Sequence, residues 1–298
     1  MSSSAALPCV RLIVEAPTRV DTDLLVVPIF EAEKPSEALP AIDTASGGEA
    51  GRAMTSGEIK GRLYEHFLTP VVESGLGAKR IALVGGGKAG DFDLERLRKV
   101  AAAAALIARG RRIPRVAFLL RGPLGGPDAV QAVTEGLILA GFSVDQYKTG
   151  ERFGPPAAEL AVVAHGHDGD THALERAVER GKILGESSNL ARTFANEPSN
   201  VLTPRVFAER ATAIAKSAGV RVEVLDEKEI ASLGMMKRTS SGVARIRMLV
   251  IIALTLTDLP APVDPATSRC GIVARSVTNG SPWMVLPMAS VSFECERL

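Results

Sequence analysis

The run Gly85-Gly86-Gly87-Lys88-Ala89-Gly90 has the spacing G-x-G-x-x-G and follows the apolar stretch Arg80–Val84. A turn of this kind between a strand and a helix can bring phosphate oxygens onto main-chain N–H groups at the helix N-terminus. Dinucleotide binding also needs an acidic residue about 20 positions on, to hold a ribose hydroxyl. Here an alanine run leads to Arg109-Gly110-Arg111-Arg112, and no acid is present. A triphosphate loop, G-x-x-x-x-G-K-[ST], also fails: aligned on Lys88, Ala89 takes the Ser/Thr place and Ala82 that of the first glycine. The residues fit a tight strand-to-helix turn better than either nucleotide motif.

Four other groups carry reactive side chains. His165, His167 and His172 lie in a Gly/Asp-rich stretch with no Cys partner. A metal site needs supporting groups that orient the imidazoles, so a solvated loop is expected instead. Asp226-Glu227-Lys228-Glu229 puts carboxylates at the start of a short helix, where acids complement the dipole. Asn196-Glu197-Pro198-Ser199-Asn200 reads as a connector between two helices with a proline stop. Cys9, Cys270 and Cys295 are odd in number and far apart, with neither zinc spacing nor a disulfide framework. None of these groups joins a nucleophile to a base or assembles a ligand set.

The elements that position these residues alternate. Val10–Val14, Asp23–Phe30, Arg80–Val84, Val116–Leu120 and Leu160–Ala164 read as strands. Asp93 is the expected N-cap of a helix Leu94–Arg109, followed by a helix Ala129–Leu139. That order implies a mostly parallel sheet covered by helices. A long helix is expected over 171–195, with Glu175, Arg176, Glu179 and Arg180 on its wet face and Pro198 beyond its end. Thr203 and Pro204 should open the next helix. Val220–Leu225 alternates like a half-buried strand.

Composition narrows the class. The chain of 298 residues is 46% hydrophobic and 23% charged, a globular balance with length for one large or two ordinary domains. A net charge of +1 offers no field for nucleic acid or anionic membrane, so neither partner is expected. The longest apolar stretch, Met248–Leu256, is too short to span a bilayer, and no basic segment precedes the N-terminal apolar run. A cytoplasmic location is expected.

Three segments together resemble the leucyl (cytosol) aminopeptidase family, peptidase family M17. They are Ile81–Lys88 with Phe92–Arg98; Gly122-Pro123-Leu124-Gly125-Gly126; and Asn189–Arg192 with Asn196–Pro204, Val222–Ile230 and Leu233-Gly234-Met235. The resemblance runs from about Val10 to Met235. It implies an α/β fold: a macro-like N-terminal domain with a mostly parallel sheet, a linker helix, and a catalytic α/β domain. It also implies a homohexameric metalloaminopeptidase, a hydrolase that removes N-terminal residues from peptide substrates with two divalent metals (Zn, Mn or Mg).

The departure lies downstream. The family's metal ligands, a Lys, several Asp and a Glu, come after the Leu-Gly-Met segment, as does its Asn-Thr-Asp-Ala-Glu-Gly-Arg motif. From Met236 the acids thin to Asp258, Asp264, Glu294 and Glu296, no His occurs, and that motif is absent. No catalytic, cofactor-binding or metal residue is therefore assigned. The expected division is 1–150 for the N-terminal domain, 151–172 linker, 173–235 the start of an incomplete catalytic domain, and 236–298 a divergent, poorly ordered tail. The chain is expected to be truncated and inactive, with the tail either natural or a product of translation out of frame. The alternative is a non-catalytic N-terminal domain used for oligomer assembly or for binding a nucleotide or ADP-ribose-like ligand.

Overall fold

The structure is a computed structural model that describes residues 8–34, 40–73, 75–150, 153–166, 170–220, 222–232, 237–238 and 244–245. The chain divides into two compact units, 1–196 and 197–298.

The first unit is built on a six-stranded sheet. Its strands are β1 (Cys9–Ile13), β2 (Leu24–Ile29), β3 (His66–Pro70), β4 (Arg80–Gly85), β5 (Arg115–Leu119) and β6 (Glu159–Val163). Their spatial order is β1-β6-β5-β2-β4-β3. All pairings are parallel except β3 against β4. β6, from the stretch read as a linker, lies between β1 and β5.

Every residue of β2 is buried, as expected for a central strand covered on both faces. Pro28 inside it runs against the rule that proline belongs at sheet edges. The β2–β5 ladder ends at Val26 and Phe118, so no partner on that side needs a Pro28 N–H. The Pro28 carbonyl instead accepts a hydrogen bond from Arg121 Nη1.

Side chains alternate across the sheet and fill two cores. On one face, Val26, Val84, Phe118 and Val162 pack with Leu97 and Val100 of α3 (Leu94–Gly110), Val133 and Leu137 of α4 (Gly126–Leu139), and Val178 of α5 (Thr171–Asn196). On the other, Leu25, Val27, Ile81 and Leu83 pack with Ile42 of α1 (Pro40–Ala45) and Ala50 and Ala53 of α2 (Glu49–Ser56).

The three helices of the first layer approach closely through glycine. A Cβ on Gly181 of α5 would stand 2.7 Å from the Thr134 side chain of α4, and one on Gly185 would stand 2.9 Å from Ile138. Asp93 caps α3 as expected, its carboxylate accepting the Arg96 N–H at 2.7 Å.

Two elements differ from the sequence expectation. His66–Pro70 forms β3, whose His and Pro hide any strand signal. It exists because β4 supplies an antiparallel partner. Conversely, 222–226 has no ladder partner among the described residues and is not a strand. Alternation states which face a strand would bury, but the strand forms only where a neighbour takes its N–H and C=O groups.

In the second unit, Thr203 caps α6 (Pro204–Ser217), its hydroxyl accepting the Val206 N–H at 3.4 Å. Asp226 and Glu229 form a reciprocal box at α7 (Glu227–Ser232): Asp226 Oδ1 accepts the Glu229 N–H at 2.8 Å and Glu229 Oε2 accepts the Asp226 N–H at 2.7 Å. A two-residue pair, β7 (Lys237–Arg238) and β8 (Ala244–Arg245), completes the described residues. No described helix is long and apolar enough to cross a membrane.

Candidate functional site at the carboxyl end of the sheet

In open parallel sheets, ligands bind where the carboxyl ends of neighbouring strands diverge. The glycine run lies at such a place, after β4 and beside β2. The N–H groups of its first three glycines, however, are already taken. Gly85 donates to Glu65 O at 2.7 Å, Gly86 to Ile29 O at 2.8 Å, and Gly87 to Gly61 O at 2.9 Å. The glycines serve close backbone approach: a Cβ on Gly85 would collide with the Arg62 carbonyl, and Gly87 holds φ +77°.

The crevice next to the run is filled by the Phe30 ring. Phe30 stacks edge-on with Phe92, the centroids 4.9 Å apart. A Cβ on Gly86 would lie 2.8 Å from that ring, and one on Gly122, at the end of β5, 2.6 Å from it. Arg121 closes the rim by pairing with Glu33, and Glu33 Oε2 also accepts the Phe30 N–H at 2.9 Å. Beyond the turn, the N-terminus of α3 already carries the Asp93 carboxylate, which neutralises the end charge a phosphate would use. The arrangement is a packed turn.

The remaining candidates stay apart. His165 is exposed in the turn after β6, and His167 lies outside the described residues. His172 belongs to the first turn of α5, not to a loop; Asp170 accepts its N–H, and its exposed Nδ1 lies 3.2 Å from Glu175 Oε2. The reason is local: Asp170 satisfies an N-terminal N–H, so the helix already includes His172 in its first turn. Cys9 is exposed on β1, while Cys270 and Cys295 lie outside the described residues, as do Met248–Leu256 and most of 236–298. The Glu197 side chain is buried and pairs with Arg210 at 2.6 Å. Among the described residues, no three His, Cys, Asp or Glu side chains come close enough to hold a metal ion.

Two charged clusters were not singled out by sequence reasoning. At the amino end of the sheet, Arg115 reaches both Asp21, at 2.9 Å, and Asp23, at 3.2 Å, while Lys79 lies 2.8 Å from Asp23. Hydrogen bonds from Arg115 and then Lys79 pull the Asp23 carboxyl down to about 2. The same Arg115 contacts lower Asp21. The second cluster centres on Arg109, which is 4% exposed. Its guanidinium donates to the carbonyls of Gly154, Ala140 (3.1 Å) and Phe142 (2.7 Å) and lies over the Phe153 ring. Burial lowers its pKa, partly offset by the charge of Asp145. The chain segment 140–154 is thereby fastened to the end of α3. A basic run gives no sign of which arginine turns inward; Asp21-x-Asp23 just before a buried strand was the readable hint of the other cluster.

The fold thus defines an α/β protein with a helix-covered, mostly parallel sheet. Two family models match it in chain order: the cytosol aminopeptidase family N-terminal domain over residues 26–151, and the catalytic domain of the same family over residues 189–255. The chain belongs to the cytosol aminopeptidase family. The catalytic match runs past Met235, where the character of the sequence changes. A probable cytosol aminopeptidase of Solibacter usitatus is 33% identical over 260 residues, covering 87% of this chain and 50% of the relative. One from Syntrophotalea carbinolica is 30% identical over 237 residues, covering 78% and 48%. The chain spans about half the length of these curated relatives. Among solved structures, a mutant tomato leucine aminopeptidase shares the fold with a TM-score of 0.65 at 20% identity, over 78% of this chain and 47% of that one. The bottromycin maturation enzyme BotP in complex with Mn gives 0.54 at 24% identity, over 72% and 40%.

Proposed function

We propose that these residues are the amino-terminal part of a metalloaminopeptidase that removes N-terminal residues from peptides. The observation that carries this reading is the collinear match of the family's N-terminal and catalytic models. Two divalent metals, Zn, Mn or Mg, would supply an activated water and a polarised carbonyl in that reaction. The described residues do not fit a two-metal centre, since no donor cluster forms among them. The ligands belong to sequence downstream of the Leu233-Gly234-Met235 segment.

The 298 residues as they stand do not turn over peptide in this reading. Its support is in the sequence: Met236–Leu298 holds four acids, no His and no Asn-Thr-Asp-Ala-Glu-Gly-Arg motif. A division by ancestry into 1–150, 151–172, 173–235 and 236–298, a cytoplasmic location and a homohexamer complete the proposal.

The test has two arms. The purified chain is assayed for release of p-nitroaniline from leucine p-nitroanilide with Mn or Zn. No release is expected; release abolished by EDTA would overturn the inactivity but not the lineage. In the second arm, residues 1–235 are fused to the carboxyl-terminal half of a curated relative. EDTA-sensitive activity is expected, and a folded, metal-loaded but inert fusion would sink the aminopeptidase reading.

A further inference from the structure

A helix leaves its last carbonyls without intrahelical donors and gathers partial negative charge there. α4 has few means of its own to answer this. Its last turn holds no basic side chain, and neither Ala140 nor Gly141 adopts the left-handed conformation that often closes a helix. Main-chain bonds from Gly141 to Ile138 O, at 2.9 Å, and from Phe142 to Leu139 O, at 3.4 Å, meet part of the need. Side chains of two other helices supply the rest. From α5, Asn189 Nδ2 donates to Ile138 O at 2.8 Å and Arg192 Nη1 to Leu139 O at 3.3 Å. From the end of α3, Arg109 Nη1 donates to Ala140 O at 3.1 Å and to Phe142 O at 2.7 Å. The Asn189 amide fits one way round: its Oδ1 faces Arg192 Nη1 at 3.5 Å, and reversal would set oxygen against the Ile138 carbonyl. Gly185 permits the approach, since a Cβ there would stand 2.9 Å from Ile138.

We propose that Arg109, Asn189 and Arg192 form one clasp on the carboxyl end of α4, a conformational device through which the segment 140–154 and the last turns of α5 loosen together. The two grips meet at Phe142. Arg109 holds its carbonyl, while the Arg192 guanidinium lies over its ring, 5.8 Å from the centroid. Release of Arg192 frees the ring and the Leu139 carbonyl, so the stretch 139–142 no longer presents two carbonyls squarely to Arg109. The same arginine also holds Gly154 O and lies over Phe153, which carries the loosening to the far end of the segment. Side chains that share a partner in this way are coupled rather than additive. The match to the catalytic model begins at residue 189, and that to the N-terminal model covers 26–151. The clasp therefore fastens the opening residues of one match to a helix of the other. It lies wholly within the first unit and is independent of the hydrolytic reading.

Amide hydrogen exchange on the full chain tests the coupling. The readouts are the N–H groups of Phe153 and Lys148, which bond to Asp145 rather than to α5. Arg192→Ala together with Asn189→Ala should speed both by about twofold or more, the low end of coupling between groups with shared partners, and leave β2 and β4 unchanged. In the other direction, Arg109→Lys should speed exchange over residues 193–196, the last turn of α5. That substitution keeps the charge and removes the fork of bonds, so it tests the grip itself. Lys182→Ala, which breaks a surface ion pair with Glu179 on the same helix, should change neither readout. If the α5 double substitution quickens α5 alone and leaves Phe153 and Lys148 at the parent rate, the grips are separate and the proposal fails. It fails also if Lys182→Ala, or exchange in β2 and β4, rises as much, because the effect is then a general loosening.

Discussion

The sheet unit and the short helices after Asn196 make opposite use of similar sequence. Both contain amphipathic helices with sound N-caps, Asp93 for α3 and Thr203 for α6. In α3 the apolar stripe Leu97, Val100, Ala101, Ala104 and Ala108 is buried against the sheet. In α6 only Ala208 is buried, and Ile214 is 41% exposed. Capping is a local transaction between a side chain and an orphan N–H, and it is complete in both units. Burial needs a second surface, and the second unit has little of one among its described residues. Helix stability in proteins comes mainly from that packed face.

The sharpest way to break this contrast is inside the sheet unit. Phe30→Ala should leave a cavity beneath the glycine turn and cost about 3–5 kcal/mol in urea unfolding. A loss below about 1 kcal/mol would mean the crevice is not packed by this ring. Arg109→Ala should cost about 2–4 kcal/mol, because three carbonyls lose their donor in a buried place. Hydrogen exchange should then show 140–154 opening before the sheet, which would distinguish a fastened segment from general destabilisation.

Asp23 sharpens the contrast through pH. Its carboxyl is held at about 2, below the ordinary value of 3.8. The stabilisation is therefore fully present above that ordinary value and is lost as pH falls towards 2. Asp23→Asn should remove roughly 1–2 kcal/mol of stability at neutral pH, after allowance for solvent screening, and flatten the acid limb of the unfolding curve. An acid limb unchanged by the substitution would show that Arg115 and Lys79 do not hold this group in solution. At the small end, Ile214→Lys on α6 should change the melting of the sheet unit by less than about 0.5 kcal/mol. A larger effect would mean that the exposed apolar face of α6 is covered in solution.

Much of the framework was readable from residues alone. Continuous apolar runs such as Leu24–Ile29 and Arg80–Val84 announce buried parallel strands. Asp93, Thr203 and Pro204 announce helix starts, because these signals act within a few residues. The glycine turn was legible as a turn but not in its cause. The spacing G-x-G-x-x-G is the same whether N–H groups meet a phosphate or the carbonyls of Glu65, Ile29 and Gly61. Only the fold, by laying the loop Gly57–Glu65 and the end of β2 against the run, decides between them.

The sequence by itself determined the alternation of strands and helices, the caps, the kinship segments and the lack of a ligand-rich motif after Met235. These depend on local propensity and on residue identity in order. Tertiary structure alone decided that His66–Pro70 is a strand while 222–226 is not, and that Pro28 is tolerated at the centre of the sheet. It also decided that Arg109 turns inward and that β1 ends the sheet, with no described strand on its outer side. Each of these is settled by what lies opposite a main-chain group, and a linear sequence does not specify its own neighbours across a sheet.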